Sequence, residues 1–366
     1  MPTLQQLAGI MPNILDTGIS VELISSPGIG KSDFVEQLVA SRTETTGIKW
    51  GMSQAFLATY TPPDLIGYQF KGERMWRSPH TGEMEPVAVT DPSMPLWMIS
   101  SEGRPLYEYE RGILFLDEFG QGEADVKRAA AQLLLKREIG PWRLPPGWSV
   151  MAASNRANDR SGVTKSFDFV INRRVEYHIT PDLLSWDAWA ISRGIDPLFV
   201  AFAHQHPEIV FSGSVPKQQG PWCTPRSLVM AHDLLVAISG GAGQPIRMDD
   251  LGAETMRGTI GDAATAQLKS FIDVSMQLPS LDDIVDDPTK CALPTRADGQ
   301  MLVVFQLAHV AHKDIMRPVG TYINRLGASF ETMFIKRLIG RSPTFAMDPV
   351  IDKMVTRNAH LIHAVA

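Results

Sequence analysis

Two patterns of apolar residues divide the chain. Through the first half, short apolar runs bounded by glycine, proline and polar clusters alternate with stretches of helical spacing; from Pro181 onward only helical spacing remains. Leu4, Leu7, Ile10, Met11, Ile14 and Leu15 predict an amphipathic lead-in helix, which Pro12 would interrupt or kink. Val21, Leu23 and Ile24 then mark a first strand, and Phe34, Leu38 and Val39 mark one face of a helix over 31–40. A second strand is expected over 48–54, closed by the turn-forming run from Thr61 to Gly67. Residues 68–95 have no clear period and read as an inserted short hairpin and loop. Ile113, Leu114, Phe115 and Leu116 form a continuous apolar run, as expected of a strand buried on both faces. A helix over 124–135, a hairpin over 136–146 and a strand over 148–155 follow. Strands alternating with helices predict an α/β fold built on a parallel sheet.

In the second half, Trp186, Trp189, Ala190, Ile195, Phe199, Val200 and Phe202 would line an apolar helical face, read as core rather than as a ligand cage. Another helix is expected over 227–238. Pro279, Pro288 and Pro294 among Asp282, Asp283, Asp286 and Asp287 predict a solvated linker over 276–299, because the acidic spacing lacks the glycine and terminal glutamate of a calcium loop. Residues 300–366 again read as helical. His309 with His312, and His360 with His363, stand at i,i+3 with no cysteine or carboxylate matched to them, so zinc is not expected there.

The chemistry concentrates where strands end. After the first strand comes Ser25-Ser26-Pro27-Gly28-Ile29-Gly30-Lys31-Ser32. A triphosphate needs several backbone N–H groups turned inward, and Gly28 and Gly30 let the chain curl that tightly. Lys31 would meet the β- and γ-phosphates, Ser32 would offer its hydroxyl to Mg²⁺, and the helix beginning there would aim its positive end at the anion. The general pattern has glycine where this chain has Ser25. Two carboxylates, Asp117 and Glu118, follow the 113–116 run, at the edge where parallel sheets place ligands. Beside a phosphate loop, Asp117 is expected to hold Mg²⁺ through its water shell and Glu118 to orient an attacking water; alone, the pair would read as a helix cap. Asn155 ends the last of these strands, either on the same edge or as an ordinary turn residue.

Composition narrows the setting. The 366 residues suffice for two or more domains, and 44% hydrophobic with 20% charged residues describes an ordinary globular protein. A net charge of −6 gives no electrostatic footprint for nucleic acid, which is not the expected partner. Two cysteines, Cys223 and Cys291, exclude a disulfide framework and fit a reducing compartment. No secretory signal is read at the start, and no apolar run reaches the roughly 18 residues of a membrane span, so the expected location is cytoplasmic.

Taken in order, these motifs resemble the AAA+ ATPases of the MoxR-like branch, a bacterial and bacteriophage type. Ser26 to Ser32 is similar to Walker A, Leu114-Phe115-Leu116-Asp117-Glu118 to Walker B, and Ala152-Ala153-Ser154-Asn155 to sensor 1. Pro63-Asp64-Leu65-Ile66-Gly67 is similar to the segment before that branch's helix-2 insert, and Leu144-Pro145-Pro146-Gly147-Trp148 to the exit of its pre-sensor-1 hairpin. The resemblance spans roughly residues 15–275. It implies an AAA+ core over 1–180 with the insert at 68–95, a helical lid over 181–275, the linker, and a helical C-terminal region. It implies ATP and Mg²⁺ as cofactors, with Pro27, Gly28, Ile29, Gly30, Lys31, Ser32 and Asp33 around the nucleotide and Ser32 and Asp117 toward the metal. It further implies Glu118 and Asn155 as catalytic, an arginine finger at Arg173 or Arg174, and a sensor-2 arginine at Arg226. From the residues alone, Arg173 and Arg174 also fit a solvated pair, and Thr224-Pro225-Arg226 a plain helix start.

The implied activity is ATP hydrolysis at the subunit interfaces of a ring, expected to be a hexamer, that remodels or assembles a protein client in a chaperone-like way. The branch implies a partner carrying a von Willebrand factor A domain. Two other readings stay open: an ATP-gated scaffold or adaptor with negligible hydrolysis, which Ser25 favours, and a DNA-handling motor or helicase loader, against which the acidic balance argues.

Overall fold

The computed structural model describes residues 1–157, 159, 162–163 and 174–363, apart from the side chains of 360, 362 and 363. The chain divides into two compact units, Met1–Pro181 with Gly213–Val215, and Asp182–Ser212 with Pro216–Ala366.

The first unit opens with helix α1 (Leu4–Thr17), started by Thr3, whose hydroxyl accepts from the Gln6 amide while Gln6 returns a bond to Thr3. The helix runs through Pro12 rather than stopping there. One backbone bond is forfeited, but Leu7, Met11 and Leu15 keep one face buried. Strand β1 (Val21–Ser25) leads through the glycine loop into α2 (Lys31–Thr46). That helix outlasts its predicted end and stops at Gly47, in the left-handed conformation at φ 67°, so β2 (Trp50–Phe56) begins two residues later than its pattern suggested. A short helix α3 (Pro62–Ile66) precedes an antiparallel hairpin, β3 (Gln69–Arg77) with β4 (Met84–Pro92), which fills the stretch expected to be an insertion. Then come β5 (Arg111–Asp117), α4 (Ala124–Lys136), the two-residue strands β6 (Glu138–Ile139) and β7 (Trp142–Arg143), β8 (Trp148–Asn155) and β9 (Val175–His178).

Among the described residues, five strands form one parallel sheet in the order β2-β5-β8-β1-β9. Its two faces are covered by different elements. Val21, Leu23, Phe115 and Met151 pack with Leu7, Met11, Phe34 and Leu38 from α1 and α2; Leu114, Leu116, Val150 and Ala152 pack with Val126, Ala130 and Leu134 of α4. A sheet covered on both faces needs apolar residues in both alternating sets, which is why β5 reads as an unbroken apolar run. This unit is an α/β P-loop NTPase fold, followed in the chain by a helical C-terminal region.

The second unit is helical among the described residues. It comprises α5 (Leu183–Arg193), α6 (Pro197–Gln205), α7 (Pro207–Val210), α8 (Pro225–Ile238), α9 (Asp250–Ile260), α10 (Asp262–Ser275), α11 (Leu281–Asp286), α12 (Ala297–Val310), α13 (Met316–Asn324), α14 (Ala328–Arg341) and α15 (Pro349–His363). Trp186, Phe199, Phe202, Phe271, Phe305, Tyr322 and Phe334 meet in one core. The stretch 276–299 differs from the solvated linker expected of it. Ser280 and Asp283 form a capping box that starts α11, and Ile284 is buried in the unit's core. Asp287 accepts from the Thr289 and Lys290 amides, so part of the acidic cluster serves local turns. His309 lies on α12 and His312 just beyond it, whereas the side chains of His360 and His363 lie outside the described residues. No described helix is long and apolar enough to cross a membrane.

Candidate phosphate-binding site

Parallel pairing aligns the C-terminal ends of β1, β5 and β8 on one sheet edge: Ser25 stands opposite Asn155, and Leu116, the residue before Asp117, stands opposite Ala152. The loop leaving β1 turns with Gly28 at φ 80° and Gly30 at φ 90°, where an L side chain would be strained. Gly30 sits at the N-cap of α2 without a side-chain cap, so the first N–H groups of that helix face the loop without an intrahelical acceptor. Pro27, Ile29 and Asp33 flank this turn, with Asp33 in the first turn of the helix.

Four of the sequence-predicted side chains, Lys31, Ser32, Asp117 and Asn155, converge here with the Ser25 hydroxyl. Lys31 Nζ donates to Ser25 Oγ at 2.9 Å, to Asn155 Oδ1 at 3.0 Å and to the Ser26 carbonyl at 3.4 Å. Ser32 Oγ donates to Asp117 Oδ2 at 2.9 Å, directly joining the loop to β5. Asp117 Oδ1 accepts from the backbone N–H of Glu118 at 2.9 Å. Glu118 itself is exposed and adopts φ 53°, ψ 33°, a left-handed conformation that glutamate rarely takes. Such outliers cost on the order of 1–3 kcal/mol and cluster where a side chain must be aimed.

The arginines separate. Arg173 lies outside the described residues. Arg174 is buried, its guanidinium 2.5 Å from Glu22 Oε2 and 2.7 Å from Glu176 Oε1, and 5.2 Å from the centre of the Phe119 ring. Its place in a buried ion pair differs from the solvated doublet that the residues alone also allowed, and from a guanidinium free to reach a neighbouring subunit. Arg226 is exposed in the first turn of α8, where Thr224 and Ser227 form the capping box that the Thr-Pro-Arg run suggested.

Several participants escaped the sequence reading. Gln54, in the C-terminal half of β2, donates to Asp117 Oδ2 at 3.1 Å. The Ser25 hydroxyl, at the position where the general pattern has glycine, is a partner of Lys31. Glu22 is buried to 2% exposure on β1 and accepts from Ser154 Oγ; a charge inside an apolar strand is the one signal that could have marked it. Burial pushes the Glu22 carboxyl above its ordinary range against the opposing charge of Arg174. Arg156 donates its backbone N–H to the Ser25 carbonyl at 3.2 Å and pairs with Asp159, bracing the end of β8.

Chemically, the edge offers an ammonium, helix N–H groups for an anion, and a hydroxyl–carboxylate pair whose hard oxygens suit a small divalent cation. No family model matches the chain, and no curated protein does. Solved structures to which the chain shows similarity include an ORC2 protein from Aeropyrum pernix in ADPNP–ADP complexes, at 13% identity and TM-score 0.39 over 99% of this chain and 93% of that one. A RuvB mutant of Thermotoga maritima aligns at 11% identity and TM-score 0.38 over 79% of each chain. NtrX from Brucella abortus in complex with ATP aligns at 12% identity and TM-score 0.38, over 97% of this chain and 68% of that one. The fold rests on the sheet and loop described above, independently of these likenesses.

Proposed function

We propose that the chain is an AAA+ ATPase of the MoxR-like type, hydrolysing ATP with Mg²⁺ at the subunit interfaces of a ring to remodel or assemble a protein client in the cytoplasm. One observation carries the reading: Lys31 and Ser32, adjacent on a helix N-terminus, each bond to the end of a different strand, Lys31 to Asn155 at 3.0 Å and Ser32 to Asp117 at 2.9 Å. The loop from Pro27 to Asp33 wraps the phosphates, and Lys31 neutralises their charge. Ser32 Oγ and Asp117 would hold Mg²⁺, which when bound would supply neutralisation of the phosphate charge. Glu118, exposed beside Asp117, orients a water for attack on the γ-phosphorus as the bond to the bridging oxygen breaks, and Asn155 hydrogen-bonds the same phosphate. With Arg174 engaged by Glu22, Arg173 is the arginine offered to the neighbouring subunit, and Arg226 serves as the sensor of the bound nucleotide. Assembly then controls hydrolysis, because the transition-state charge is fully met only across an interface. A hexamer, and a client partner carrying a von Willebrand factor A domain, belong to this reading.

The Lys31–Ser25 contact favours a second reading, an ATP-gated scaffold with negligible turnover. Phosphate release decides between them. The ATPase reading expects Mg²⁺-dependent release that falls about 100-fold or more in Glu118→Gln; equal, near-zero rates in both proteins would favour the scaffold.

A further inference from the structure

The buried charge beneath the nucleotide edge has a geometry that closes on itself. Glu22, on β1, accepts from Ser154 Oγ on β8, and Ser154 Oγ in turn accepts from the Gly120 backbone N–H at 2.9 Å. On its other side Glu22 meets Arg174 at 2.5 Å, and that guanidinium lies 5.2 Å from the centre of the Phe119 ring. Phe119 and Gly120 directly follow Glu118. The circuit Glu22, Ser154, Gly120, Phe119, Arg174 therefore grips the turn that carries Glu118 from two directions.

Stability alone is a poor reason to keep this arrangement. Both charged side chains are 2% exposed, and taking them out of water costs several kcal/mol each, so apolar groups of similar volume often serve as well. Arg174 Nε and Nη1 are also buried without a hydrogen-bond partner among the described residues. A polar group left partly unsatisfied in a core calls for a local explanation, such as a role at a functional site. Here it holds a turn whose first residue is already in a left-handed conformation.

We propose that Glu22 is a positioning residue for hydrolysis: through Ser154 and Arg174 it fixes the 118–120 turn, and so the aim of Glu118, and ties that turn to the start of β9. This rests on the ATPase reading for its catalytic consequence, but not for the mechanical link. Since Arg173 precedes Arg174 in sequence, the same tie joins the segment carrying the proposed finger to the subunit's own Glu118.

Two variants test it in the full chain. Ser154→Ala removes the hydroxyl between Glu22 and Gly120 while leaving the ion pair. The double variant Glu22→Leu with Arg174→Met removes both charges together, avoiding an orphaned guanidinium. Amide hydrogen exchange without nucleotide is expected to rise about tenfold in Ser154→Ala at Gly120 and also in the 174–178 segment. Exchange confined to Gly120 would overturn the link. With ATP, both variants are expected to lose about 10- to 100-fold in kcat while the ATP dissociation constant stays within about twofold, because Lys31 and Ser32 are untouched. Unchanged kcat, or kcat and affinity falling together with the melting temperature, would overturn the positioning role. If the wild-type protein itself releases no phosphate, the ATPase reading fails, and the exchange pattern still decides whether Glu22 ties the two segments.

Discussion

Ser25→Ala isolates what the departure from glycine does at the first position of the loop. The Ser25 hydroxyl accepts from Lys31 Nζ at 2.9 Å and donates to the Ser26 carbonyl at 2.8 Å, with Ser25 fully buried and Lys31 9% exposed. A hydrogen bond to a charged group contributes about 1.5–3 kcal/mol net. Lys31 keeps Asn155 and the Ser26 carbonyl as acceptors in the variant, so the loss falls below that range, at about 1 kcal/mol. That loss falls on the free protein alone if a phosphate oxygen takes the donor that Ser25 released. Linkage then requires one quantity to show twice: nucleotide-free stability falls by about 1 kcal/mol, and ATP binds about fivefold more tightly. Thermal melts without nucleotide and calorimetric titration with ATP and Mg²⁺ measure the two sides. Weaker ATP binding in Ser25→Ala would refute the reasoning, since it would mean that the hydroxyl aims the ammonium at the phosphate instead of competing for it.

Other perturbations act away from the loop. A Cβ at Gly112 would stand 2.7 Å from the Gly51 carbonyl and from the Trp148 ring, so Gly112→Ala is expected to cost about 2 kcal/mol and lower the melting temperature by about 4–8 °C; an unchanged melt would contradict it. Burial alone would raise the Asp187 pKa, but the hydrogen bond with His204 and the charge of Arg337 outweigh it and hold the carboxyl below its ordinary 3.8. A depressed carboxyl stabilises the fold above its unfolded pKa and loses that contribution as pH falls through the folded one. The stability gap between wild type and Asp187→Asn should thus be full at pH 7 and close below pH 3.8, as followed by denaturant titration. Arg337→Met, which removes the guanidinium from Asp187 and leaves His204 beside it, is expected to cost about 2 kcal/mol at pH 7 in the same assay. Burial pushes the Cys223 thiol up to about 12, so iodoacetamide at pH 8 should leave it unmodified in the native protein and label it on unfolding.

The loop was legible because its chemistry is contiguous: Gly28, Gly30, Lys31 and Ser32 announce themselves within a few residues, and a continuous apolar run delivers Asp117 to the same edge. What escaped was chemistry assembled across the sheet. Glu22 looked like a strand residue among apolar neighbours, and only the pairing of β1 with β8 and β9 brings Ser154 and Arg174 to it. Gln54 was invisible for the same reason, lying on a strand whose start Gly47 displaced. Composition misled at 276–299, where proline and aspartate suggested solvent, yet one capping box and one buried isoleucine make it part of a packed unit. Gly51 and Gly112 carried no signal at all, since their role is to let the Trp148 ring lie across β2 and β5.

The central claim is that one sheet edge gathers Lys31, Ser32, Asp117 and Asn155 around a single triphosphate. Calorimetric titration of ATP with Mg²⁺ into the wild-type protein and into folded Lys31→Ala tests it most directly. The account predicts one site per chain in the wild type and affinity weaker by about 1,000-fold in the variant, since an ammonium about 4 Å from a phosphate in a partly buried site contributes about 4 kcal/mol. Equal affinity in the two proteins, or no binding in the wild type, would contradict it.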